Sequence, residues 1–89
     1  MTRILALLML ASPVAAETVC LPHDVMTEML ADRYGEARQT VALDGQDRVI
    51  ETWSNVSTGT WTATLTMNGL ACIVAAGDNW RQLPQGEAT

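Results

Sequence analysis

The sequence predicts an α+β domain in which one N-terminal helix packs on a four-stranded antiparallel meander, in the order α-β-β-β-β, closed by one disulfide. Three observations predict it. A helical apolar pattern over 23–34 gives way to period-two alternation. An Asn68-Gly69 pair divides two alternating runs. The only two cysteines, Cys20 and Cys72, stand near opposite ends of the chain beyond an apolar leader.

The helix rests on Val25, Met26, Met29, Leu30 and Tyr34, which recur at one-turn spacing and form a stripe. Asp24, Thr27, Glu28, Asp32 and Glu36 fall mainly elsewhere on the wheel. Pro22 suits a helix start, Asp24 favours the positive end of the helix dipole, and Gly35 is a good stop.

Four strands are expected over 39–43, 48–54, 60–67 and 70–76, with turns at 44–47 and 55–59 and an irregular tail over 77–89. In the third, Trp61, Ala63, Leu65 and Met67 alternate with Thr60, Thr62, Thr64 and Thr66. A two-residue Asn-Gly loop sets Met67 opposite Leu70, Leu65 opposite Cys72, Ala63 opposite Val74 and Trp61 opposite Ala76. Opposed residues share a face, so Cys72 is expected on the apolar face, together with the helix and the bridge from Cys20. The threonine face is then expected to lie open. Its bland reading is a solvated surface, and its sharper one is a docking surface for a partner or a second copy.

Residues 1–16 have the layout of a secretory signal peptide: Arg3, an apolar run from Ile4 to Ala11, and small residues at Val14 and Ala16 ahead of cleavage before Glu17. A retained anchor is the competing reading. The run is shorter than the roughly 20 apolar residues that span a bilayer. Residues 17–89 form one small domain, marginal without a staple. In an oxidising compartment a Cys20–Cys72 disulfide is the expected staple, closing a loop of about 50 residues and contributing roughly 4 kcal/mol. Free thiols or half of a metal site are its alternatives. The expected location is periplasmic or secreted.

All ten carboxylates but only four of the five arginines lie beyond residue 16, a net charge of −6, and there is no lysine. Such a domain is a poor match for nucleic acid or anionic membrane. His23, Met26 and Met29 include soft Cu(I) ligands, but both methionines belong to the helical stripe, where they act as filler. Glu28 and Asp32, four apart on one helix face, read as solvated charges rather than an acid/base pair. No nucleophile-elbow pattern is present. Asn55-Val56-Ser57 matches the glycosylation acceptor pattern, a short motif that arises by chance. Trp61 is assigned to the core, while Trp53 and Trp80 are candidate binding anchors.

The strings Cys20-Leu21-Pro22, Leu30-Ala31-Asp32-Arg33-Tyr34-Gly35-Glu36, Thr58-Gly59-Thr60-Trp61-Thr62 and Ala71-Cys72-Ile73-Val74-Ala75-Ala76-Gly77 resemble those of small exported bacterial proteins of unknown function with two cysteines. The resemblance implies an exported α+β domain and no catalytic residues. The expected function is therefore a periplasmic, non-enzymatic binding or accessory module for a protein or envelope component. Its partner surface would be Trp53, Thr60, Thr62, Thr64, Thr66 and Trp80, with no cofactor. The alternatives are a small-ligand or copper carrier using the helix–sheet crevice or His23 and the nearby methionines, and a homo-oligomer.

Overall fold

The computed structural model describes residues 18–84, so the expected signal peptide and its cleavage site lie outside the described residues. The chain forms β1 (Cys20–Pro22), α1 (His23–Tyr34), β2 (Ala37–Leu43), β3 (Val49–Ser54), β4 (Trp61–Met67) and β5 (Leu70–Gly77). The five strands make one sheet in the order β1-β5-β4-β3-β2, every neighbouring pair antiparallel.

This corrects the four-stranded meander. A fifth strand precedes the helix, so α1 is not an N-terminal layer but the connection between the sheet's two outer strands. Three residues are too few to show alternation, and Pro22 reads in sequence as a helix start. Through three intervening antiparallel strands, β1 and β2 run parallel to each other. The connection between them is thus a crossover, which packs back onto a twisted sheet only in the right-handed sense. That preference favours one face of the sheet for α1.

Both ends of α1 are tied to turns that flank β4. At its start the His23 N–H donates to Gly69 O at 2.9 Å. At its end Asn55 Nδ2 donates to Tyr34 O at 3.1 Å. Gly35 closes the helix at φ 64°, its N–H donating to Ala31 O. A Cβ there would also stand 2.7 Å from Asn55 Nδ2, so a larger residue would push that side chain away from Tyr34 O. Twelve helical residues span about 18 Å and seven strand residues about 23 Å. The helix therefore lies along β4, antiparallel to it.

Beneath it are the threonines. Thr62, Thr64 and Thr66 are buried, whereas Met67 on the opposite face is 47% exposed. The core comprises Met26, Leu30, Trp53 and Ala71, with Leu21, Met29 and Ile73 packed against it. The helical stripe is narrower than its sequence pattern, since Val25 and Tyr34 stay exposed. Two hydrogen bonds make the threonine face buriable: Trp53 Nε1 donates to Thr64 Oγ1 at 3.0 Å, and Thr62 Oγ1 to Glu36 Oε1 at 2.7 Å. Thr66 Oγ1 is buried without a hydrogen-bond partner among the described residues.

The hairpin register holds near the turn, with Met67 opposite Leu70 and Leu65 opposite Cys72. It then slips by one residue. Thr64 opposes Ile73 but Ala63 opposes Ala75, leaving Val74 as a bulge, so that Trp61 meets Gly77. Cys20 and Cys72 are direct cross-strand partners and form the disulfide. Side chains alternate along β5, and Ala71 and Ile73 face α1. Cys72 therefore points away from the helix, correcting the expectation that the bridge and the helix share a side.

Candidate functional site

Two regions could bind something: the helix–sheet interior, with the cavities that flank it, and the sheet face that no helix covers among the described residues.

The interior is polar for so small a domain. Glu51 is 1% exposed and carries two partners, His23 Nε2 at 2.9 Å from Oε1 and Arg38 Nη1 donating to Oε2 at 2.9 Å. The His23 ring lies tilted against Trp53, centroids 6.1 Å apart. Glu51 shares strand parity with Trp53, which places both under α1. The bulge between Arg38 and Thr40 lies beside the residue that supplies the cation. Glu51 is therefore a compensated charge, held by one cation from β2 and one imidazole from the first residue of α1.

Glu36 differs. It comes directly after Gly35, so the left-handed turn that ends the helix also folds this side chain inward. It is 3% exposed, and Thr62 is its one hydrogen-bond donor among the described residues. No arginine or histidine among them pairs with it. Glu36 also borders both cavities that flank the helix. One, of about 500 Å³, is walled largely by apolar side chains including Leu21, Met29 and Ile73, with Trp61 at its end. The other, of about 370 Å³, lies between α1 and the strands carrying Arg38 and Trp53.

The uncovered face has a different character. Ile50, Leu65, Met67 and Leu70 lie there with Ala42, Ala63, Ala75 and the disulfide, and Thr40 and Thr52 join their hydroxyls across it at 2.6 Å. Ile50 is 36%, Met67 47% and Leu70 45% exposed. None of these side chains is charged.

The residues expected to form a partner surface are distributed otherwise. Trp53, Thr62, Thr64 and Thr66 are buried beneath α1, and Thr60 and Trp80 are half-buried. The tail packs back through Trp80, whose N–H donates to Gly59 O at 2.9 Å, while Leu83 stays exposed. Of the copper candidates, Met26 is fully buried, Met29 packs beside it, and His23 directs Nε2 to Glu51. No group of three or more His, Cys, Asp and Glu side chains gathers as a metal site among the described residues. Asn55 has a local role: Oδ1 accepts from the N–H groups of Ser57 and Thr58 while Nδ2 caps the helix. Glu36 and Glu51 escape a sequence reading because charged residues are assigned to solvent by default. The parity of Glu51 with Trp53 is the one signal that could have found it.

Among the described residues no helix is long and apolar enough to cross a membrane, and the disulfide is compatible with a secreted protein. No protein-family model matches the chain, nor does any curated protein or solved structure.

Proposed function

We propose that this protein is a periplasmic, non-enzymatic binding module that docks a protein partner on its uncovered sheet face. The observation that carries the reading is the charge pattern. The chain has a net charge of −5, yet Ile50, Leu65, Met67 and Leu70 lie side by side with no charged side chain among them, and Asp44 and Arg48, which share their strand parity, pair with each other beyond the ends of β2 and β3. Interface centres are depleted of charge and enriched in aromatic side chains and methionine. A contiguous apolar patch on a small soluble domain marks an interaction site. The occupant is a protein with an uncharged, apolar contact surface and a neutral or positive net charge. A second copy would bring a like net charge to the same approach.

Photo-crosslinkers at Ile50 and at Met67 test this, with Val25 on the exposed side of α1 as control. The expected result is one partner captured from both face positions and not from Val25. Once purified, that partner binds the wild type less tightly as salt rises and fails to bind Ile50→Glu, whose melting temperature is unchanged. Capture only of a second copy of this chain, or equal capture from Val25, overturns the reading.

A further inference from the structure

We infer that the larger cavity beside α1 is a binding site for a small amine with an apolar body, its ammonium group received by Glu36. This site lies on the opposite side of the sheet from the docking face and stands independently of it.

A buried carboxylate needs a cation or several donors to offset its lost hydration. Glu51, one strand away, shows how this chain meets that need, with Arg38 and His23 on its two oxygens. Glu36 is buried to a similar degree, yet it has a single neutral donor in Thr62 and no cationic partner among the described residues. It also borders the cavity. An ammonium group there supplies up to three donors and the missing charge.

The rest of the wall sets the body of the ligand. Leu21, Met29 and Ile73 offer apolar contact. A cavity of about 500 Å³ lies within the range of small-molecule sites, which combine an apolar lining with a few polar groups that fix orientation. The site is also built on fixed parts. Glu36 is placed by the left-handed Gly35 and held by Thr62, and Leu21 and Ile73 pack against the core from paired strands. Arg33 also borders the cavity and is exposed. It opposes a simple cation from the solvent side, which makes it a useful probe.

The test measures binding of hexylamine and of 1-hexanol to the disulfide-intact protein by tryptophan fluorescence and by calorimetry. Hexylamine is expected to bind saturably, at least tenfold more tightly than the alcohol. Glu36→Gln, which keeps the shape and removes the charge, is expected to lose at least tenfold for the amine and little for the alcohol. Arg33→Gln is expected to strengthen amine binding severalfold, and it decides the matter should Glu36→Gln fail to fold. The inference is overturned by absence of saturable amine binding, by equal affinity for the alcohol, by a folded Glu36→Gln that binds as the wild type does, or by an Arg33→Gln that binds the amine no better.

Discussion

Trp53 Nε1 donates to Thr64 Oγ1 across 3.0 Å, and both side chains are buried beneath the helix. This bond joins the largest core side chain to the most deeply buried threonine of β4. Thr64→Val preserves shape and leaves the indole N–H without a partner. A buried donor stranded in this way costs about 1–3 kcal/mol, which urea denaturation will show as a lower midpoint at unchanged slope. A variant as stable as wild type would show that the bond is not needed to bury the threonine face.

The Cys20–Cys72 bridge joins the short edge strand β1 to β5 across a sequence separation of 52. In the chain-entropy account a loop of that length contributes roughly 4 kcal/mol, a large share of a small domain's net stability. Cys72→Ser is expected to unfold the domain or to lower its melting temperature sharply. Coincident melts with and without reductant would contradict this.

Arg38 and Glu51 should be energetically coupled. Arg38 is half exposed while Glu51 is almost fully buried, so truncating the arginine leaves a buried carboxylate with only His23. Arg38→Ala is expected to cost about 1–3 kcal/mol. In a double-mutant cycle with Glu51→Gln the two losses should fall short of additivity by more than about 0.5 kcal/mol. Strict additivity would mean that the contact contributes nothing.

The turn between β2 and β3 gives the chain an acid-sensitive point. Asp44 Oδ1 accepts from the Gln46 N–H at 2.8 Å and the Arg48 N–H at 3.0 Å, and Oδ2 from Arg48 Nε at 2.6 Å. The backbone bonds from Gln46 and then Arg48 hold its carboxyl below the usual carboxylate range. A carboxyl lowered on folding contributes stability that is full above its unfolded pKa and is lost as pH falls through the folded value. The melting temperatures of wild type and Asp44→Asn should therefore differ most at neutral pH and converge in strong acid. A gap that persists undiminished below both values would overturn this account.

Several elements were legible from sequence because their causes are local. The helix from His23 to Tyr34 arises from apolar spacing, and its end from a glycine that can take φ 64°. The Asn68-Gly69 turn, both residues at positive φ, sets Leu65 opposite Cys72. The Cys20–Cys72 pairing is dictated by there being only two cysteines. The bulge at Val74 was not legible, since no residue in the run from Leu70 to Gly77 marks where an extra residue enters. Nor was β1, whose three residues are a strand only because β5 lies beside them.

By itself the sequence determined a helix, an antiparallel hairpin, a disulfide and two chemically distinct sheet faces. Only the tertiary structure decided which face the helix covers. Period-two alternation defines two faces without ranking them, and hydrophobicity alone favoured covering Leu65 and Met67. Crossovers between parallel strands of one sheet strongly favour the right-handed sense, and Gly69 and Asn55 hold the helix at both ends over β4. Trp53 and Glu36 then satisfy Thr64 and Thr62 from within. The threonines are buried for that reason, and among the described residues no helix covers the apolar face.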